Sequence, residues 1–238
     1  MLFKSEGIVL QNIKYADKKS ILKIFTLQHG LTTFFAATGK SPNSKIKNAS
    51  ILPLYQVELS YIFKQNRDVQ KLTESSILYI YEGISRDYYK LAIAQFLNEI
   101  LIKTIKEQLP NEELYHFVTQ SYKWLNEAEE GVNNFHIFFL LELSKYLGFE
   151  PNNNYNEDSC YFDVREGKFT PVSLSFPTGL TLEQSKLFSK ILSDNVLEIA
   201  FNRRERNEVL ECLLALYKFH VAGFHELKSF EVLKQLFN

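Results

Sequence analysis

At 238 residues, with 45% hydrophobic and 23% charged side chains, the chain has ordinary globular composition, long enough for one large domain or two small ones; neither disorder nor a fibre is indicated. The net charge of −1 hides an asymmetry: residues 1–80 carry 11 Lys+Arg against 5 Asp+Glu, the rest 16 against 23. A basic block beside an acidic one suggests two modules with different partners, the first suited to a polyanion.

The first 80 residues read as strands. Gly7 to Tyr15 is rich in β-formers and ends at a turn, Ala16-Asp17-Lys18. Lys19 to Leu27 alternates with period two, and Gln28-His29-Gly30 turns the chain into Leu31 to Ala37. The polar stretch from Thr38 to Asn48 cannot lie inside a sheet. Two more strands follow, Leu54 to Phe63 and Val69 to Ile77, turned at Asn66-Arg67-Asp68. Five short strands favour closure, because a barrel leaves no exposed edge, and an OB-type barrel is expected.

From Tyr81 the period is helical. Ile93, Phe96, Leu97, Ile100, Leu101 and Ile105 form one apolar stripe, with Pro110 as its expected end. Asn111-Glu112-Glu113 starts a second helix and Gly131 is its expected stop. Phe135 to Leu147 is apolar nearly all round, as the buried centre of a bundle should be, with Gly148 at its C-terminus. Residues 150–178 break the pattern: an Asn-rich loop, then a short hairpin around Glu166-Gly167. Thr181 with Gln184, and Asn202 with Glu205, have capping-box spacing ahead of two further helices, the second reaching about Val221, and Phe230 to Phe237 forms a last one. The expected class is α+β: an OB-fold nucleic-acid-binding domain over 1–80, then a helical bundle domain over 81–238 with an irregular or hairpin insertion at about 150–178.

Enzyme signatures are missing. Gly39-Lys40-Ser41 ends like a phosphate loop without its first glycine, and no H-E-x-x-H, G-x-S-x-G or dinucleotide glycine pattern occurs, so no catalytic residue and no cofactor is expected. His220, His225 and Glu226 lack a third ligand and read as a packed helix end. Cys160 and Cys212 lie far apart and read as free thiols. The opening residues lack a secretory signal's apolar core, and residues 135–149 are too short and too charged to span a bilayer, so a cytoplasmic protein without membrane contact is expected.

Single strands of nucleic acid are held by Lys/Arg along the phosphates and by aromatic rings under the bases. Lys14, Lys18 and Lys19 surround the first turn beside Tyr15, a candidate stacking ring in preference to the Phe34/Phe35 pair; Lys40, Lys45 and Lys47 lie on the polar loop. The plain alternative is a solvated loop. Arg203, Arg204 and Arg206 place three cations in the first turn of a helix, against its dipole. An acidic partner segment would explain them; pairing with Glu205 or Glu208 is the plainer reading.

Gly7-Ile8-Val9-Leu10, Ser20-Ile21-Leu22-Lys23-Ile24-Phe25-Thr26, Gly30-Leu31, the basic loop after Gly39 and Leu52-Pro53-Leu54 resemble the N-terminal barrel of the RecO family of bacterial recombination mediators. Phe176-Pro177-Thr178-Gly179-Leu180 and Leu227-Lys228-Ser229 resemble that family's C-terminal region, so the likeness covers nearly the whole chain in element order. The resemblance implies an OB barrel plus a helical domain and a role in recombinational DNA repair. It implies binding of single- and double-stranded DNA, strand annealing, association with RecR and with the acidic tail of the single-stranded DNA-binding protein, and help in loading RecA. Many members carry four zinc-binding cysteines where this chain has only Cys160, so zinc is not expected, and Tyr161, Phe162 and Phe169 are expected to hold that region by packing. The main rival is a protein-only adaptor whose barrel has no nucleic-acid role; a hydrolase with a scattered site is a distant third.

Overall fold

The computed structural model describes residues 1–39, 44–106 and 109–236. Five strands, β1 (Leu2–Ala16), β2 (Lys19–Thr26), β3 (Gly30–Ala37), β4 (Gln56–Ile62) and β5 (Val69–Tyr79), close into a barrel of order β1-β2-β3-β5-β4. All pairings are antiparallel except β3 with β5. The first strand begins at Leu2 rather than Gly7, because its early residues pair with β4 from Leu2↔Ile62 onward. The expected OB-type barrel with a helical region after it is the architecture found.

Alternation fills the barrel. Val9, Leu22, Ile24, Phe34, Val57, Leu59 and Tyr61 point inward and are all but inaccessible to water. At one end Phe3, Phe63 and His29 pack together, His29 stacked on Phe63 at 3.9 Å and bonded through Nδ1 to the Tyr61 hydroxyl at 2.6 Å. Gly30, which opens β3, has φ +61, and a Cβ there would lie 2.1 Å from the Leu109 carbonyl oxygen; only glycine fits.

Strand gives way to helix at α1 (Glu82–Arg86), followed by α2 (Tyr88–Thr104) and α3 (Glu112–Glu127). The short α1 was not expected; Asn126 Oδ1 accepts from the Gly83 and Ile84 amides and so satisfies its start from α3. α2 begins where Asp87 accepts from the Tyr89 and Lys90 amides. It ends at Thr104, well before Pro110, as the following residue turns extended. α3 stops at Glu127 rather than Gly131, which instead adopts a left-handed conformation ahead of a short turn at Val132–Asn134. Compact packing runs past the strand-to-helix change: one unit comprises Met1–Ala94 with Asn98–Glu127, the other Gln95–Leu97 with Ala128–Asn238. In the first, Tyr115 of α3 packs on Phe25, and Asn98 of α2 donates to the Leu10 carbonyl while accepting from Tyr122.

In the second unit α4 (Phe135–Leu147) is the buried centre the sequence implied, and Gly148, with φ +82, ends it as the Phe149 amide reaches back to the Ser144 carbonyl. A small hairpin follows, β6 (Tyr161–Asp163) and β7 (Lys168–Thr170), then α5 (Leu182–Ser193), α6 (Arg203–His220) and α7 (Lys228–Leu236). Both capping boxes form, Thr181 with Gln184 and Asn202 with Glu205. Tyr217 of α6 donates to the Leu140 carbonyl of α4 at 2.7 Å. Among the described residues, no helix is long and apolar enough to cross a membrane.

Candidate nucleic-acid interface

The β1–β2 hairpin tip and the polar loop meet at one end of the barrel. Thr38 donates its amide to the Lys18 carbonyl at 2.8 Å, and Gly39 donates to the Ile46 carbonyl at 3.0 Å, drawing the loop's return beside the hairpin. Ile46 is buried in the barrel core. Strand-like alternation around it turns Lys45 and Lys47 outward. The Lys47 carbonyl accepts from both the amide and the hydroxyl of Ser50, and Asn12 of β1 donates to the Ile51 carbonyl at 2.9 Å. Lys14, Tyr15, Lys18, Lys19 and Lys47 are thereby held at this one end, all exposed, Tyr15 at 73%. Lys45 turns to β5 and forms an ion pair with Glu74, whose carboxyl is held below the usual range by hydrogen bonding to that ammonium and by its charge. Lys40 lies outside the described residues.

Strand register adds a surface that the linear pattern of residues does not reveal. Ile13, Ile21, Phe35 and Lys71 are successive partners across β1, β2, β3 and β5, and Gln11, Lys23, Thr33 and Val69 form the next row. These rows point outward, opposite to the inward row of Asn12, Leu22, Phe34 and Gln70. Farther along the same outer face Phe25 is fully buried, its ring against Tyr115 of α3, whereas Ile13, Ile21, Phe35 and Lys71 keep part of their surface in water. Phe34 is fully buried and Phe35 only partly, because adjacent strand residues face opposite sides. Strict alternation from Lys19 was the signal that could have separated them.

The family model described as Recombination protein O N terminal matches residues 1–81, and that described as Recombination protein O C terminal matches residues 85–229. The chain belongs to the RecO family. It is 34% identical over 244 residues to the DNA repair protein RecO of Flavobacterium psychrophilum, 33% over 242 residues to that of Flavobacterium johnsoniae and 30% over 241 residues to that of Phocaeicola vulgatus, with 100% of both chains covered each time.

This RecO-family chain disperses the three arginines of α6. Arg203 is exposed, and Arg204 pairs with Glu208 at 2.7 Å, which raises its pKa. Arg206 turns inward on the stripe it shares with Leu210, Leu213 and Tyr217; its Nε donates to Asn134 Oδ1 at 3.1 Å and its Nη2 to the Phe201 carbonyl at 3.2 Å. Asn134 in turn donates to the carbonyls of Val196 and Ile199. Arg206 thereby ties the start of α6 to the turn before α4. Nearby His136 is fully buried, and burial, with a smaller contribution from the Arg206 charge, pulls its pKa down to about 3.

The RecO cysteine pattern is absent from residues 150–178, where Cys160 stands alone, and zinc does not fit that donor set. Phe162 packs against Phe169 at 4.9 Å and Phe188 at 4.4 Å, while Asn154 bonds both the amide and the carbonyl of Phe169. Tyr161 is half-buried beside them. Cys212 is buried in α6, its thiol pushed up to about 12. His220 stacks on Phe149 and approaches the Val164 carbonyl at 3.3 Å, a packed helix end. Among the described residues, no group of three or more His, Cys, Asp and Glu is placed to hold a metal ion.

Proposed function

We propose that the chain acts in DNA repair and recombination as a non-enzymatic mediator that binds single- and double-stranded DNA. The observation that carries this reading is the half-open outer strip of Ile13, Ile21 and Phe35, continued by Lys71 and bordered at the barrel's end by Lys14, Lys18, Lys19 and Lys47. Ammonium groups neutralise phosphates, and Phe35 and Tyr15 offer faces to unstacked bases. Duplex DNA meets the same lysines through its backbone alone.

Annealing needs no catalytic group on this reading. Two strands repel each other through their phosphates, and cations that hold both loosely lower that repulsion while leaving bases able to search. The mediator role extends to RecR and to the acidic tail of the single-stranded DNA-binding protein, and so to helping load the recombinase RecA. Of the α6 cations, the two exposed ones, Arg203 and Arg204, are proposed to meet an acidic tail; charge reversal there that leaves tail binding intact would remove them.

A titration of fluorescent oligo-dT over a range of salt tests the central claim. With about four phosphates neutralised, log affinity falls against log salt with a slope near −3. Phe35→Ala is expected to weaken single-strand binding roughly tenfold or more, without changing that slope, since stacking on one ring contributes about 1–3 kcal/mol per base. A flat salt dependence would sink the DNA reading and leave the protein-only adaptor in its place.

A further inference from the structure

The barrel closes at its shortest seam, and the outer strip crosses it there. Among the described residues, β3 and β5 pair at three positions only, Thr33↔Val69, Phe34↔Gln70 and Phe35↔Lys71, and in parallel, the less stable arrangement per residue. Phe35 and Lys71, on the outer side of this seam, are the two members of the strip that it joins. The ladder between β4 and β5 does not fix the register by itself. It shifts between Ser60 and Tyr61, leaving Tyr61↔Leu72 and Ile62↔Lys71 beyond the irregularity. A slip of one residue would turn Lys71 into the barrel.

Gln70 supplies the constraint. It faces inward with only 1% of its surface exposed, and its side chain reaches back to the turn that precedes β5. Its Oε1 accepts from the Lys64 amide at 2.8 Å, and its Nε2 donates to the Lys64 carbonyl at 2.9 Å and the Arg67 carbonyl at 2.6 Å. The Arg67 amide closes the same turn onto the Lys64 carbonyl at 3.1 Å. Turn and strand start are thus one hydrogen-bonded block. The slip that turns Lys71 inward would rotate Gln70 away from the turn and break all three side-chain bonds at once. We propose that Gln70 is a positioning residue for DNA binding: by locking the start of β5 to the 64–67 turn, it holds Lys71 on the outer face beside Phe35, so that a phosphate and a base of one strand are met together. This rests on the nucleic-acid reading of the strip and adds to it a residue that touches no DNA.

Salt titrations of fluorescent oligo-dT with the full chain test this, using Gln70→Met, Lys71→Ala and the two combined. Methionine keeps the length of the side chain but forms none of the three bonds. Gln70→Met should weaken binding about fivefold at low salt and make the log–log slope shallower by about 0.7, one phosphate's share, as Lys71→Ala should. The double variant should lose no more than either alone, because Gln70 acts through Lys71. Leu59→Ala, in the barrel core on β4, controls for stability: it should lower the urea midpoint while leaving affinity and slope in place. Additive losses in the double variant, an unaltered slope in Gln70→Met, or an equal loss in Leu59→Ala would overturn the proposal. If Gln70→Met does not fold, Gln70→Asn, whose shorter amide stops short of the turn, takes its place with the same expected losses. Failure of both to fold would make Gln70 a residue of the fold alone and overturn the proposal too. Wild-type binding that ignores salt would instead remove the nucleic-acid reading, and the role of Gln70 with it.

Discussion

At the end of the barrel, Lys14, Lys18, Lys19 and Lys47 stand exposed on a hairpin and a loop return, where the Lys18 and Lys47 carbonyls accept from the amides of Thr38 and Ser50. At the start of α6, three arginines within four residues go three ways: one stays on the surface, one pairs with Glu208 and one turns into the fold against Asn134. Both groups look alike as charge runs. They differ because a hairpin tip leaves long side chains no interior to enter, whereas a helix rotates each successive residue by about 100°, so residues 203, 204 and 206 point in three directions and one of them meets the bundle.

The largest consequence concerns the lysines. Replacing Lys14, Lys18, Lys19 and Lys47 together by alanine should lower oligonucleotide affinity about a hundredfold at low salt and make the log–log slope shallower by about 3, at roughly 0.7 for each phosphate no longer neutralised. The midpoint of urea unfolding should stay where it is. An affinity unchanged by the fourfold replacement would mean that these cations are merely solvated.

The arginines should behave in the reverse sense. Arg206→Ala removes two hydrogen bonds from a charged donor, and is expected to cost about 2 kcal/mol of stability, within the 1.5–3 kcal/mol typical of one such bond. Arg203→Ala and Arg204→Ala should leave the urea midpoint in place. If all three substitutions unfold the chain alike, the distinction drawn between them is wrong.

Those contrasts mark where sequence reasoning reached and where it stopped. Period two placed β2, β-forming runs between turn residues placed the other four strands, and the spacing of Thr181 with Gln184 and Asn202 with Glu205 located two helix starts, because strand, turn and capping signals are local. The bundle centre was legible for a similar reason: Phe135 to Leu147 has too few polar positions for a solvent face. The end of α2 and the short α1 were not legible, since Asn126, far along the chain, supplies the bonds that start α1. The inward turn of Arg206 and the outward turn of Phe35 were not legible for one shared reason. Each lies close to residues of its own type, and only the register of the surrounding element tells which of them turns inward.

A smaller effect follows from the interior that Arg206 helps to close. His136 takes up a proton near its ordinary value of 6.5 when unfolded, but only at about 3 in the fold, where burial excludes the charged form. Below 6.5 the unfolded chain therefore binds the additional proton, and stability falls as pH falls, by about 1.4 kcal/mol per unit, or roughly 2 kcal/mol at pH 5. The loss should level off near the folded value. Subtracting the unfolding free energies of a His136→Phe variant from those of wild type across pH 7 to 5 isolates this slope from the carboxylates; parallel curves would show that His136 is not kept neutral.

The smallest expected effect lies at Lys45, which departs from the other barrel lysines by pairing with Glu74 on β5. The pair is exposed on both sides, with side chains 73% and 48% accessible, and exposed ion pairs contribute little to stability because water and salt already screen them. Glu74→Gln should leave the unfolding midpoint unmoved. Its consequence should appear in binding instead: released from the carboxylate, Lys45 becomes one more cation at the end where Lys14, Lys18, Lys19 and Lys47 stand. Affinity for oligo-dT at low salt should then rise about two- to threefold and the slope steepen by about 0.7, one phosphate's share. Because this substitution adds effective positive charge without adding a residue, it separates local neutralisation from global attraction. Removing an exposed carboxylate from the second unit, as in Glu130→Gln, changes the net charge equally and should leave the slope alone. Equal slopes for the two variants would mean that Lys45 stands too far from the bound strand to contribute.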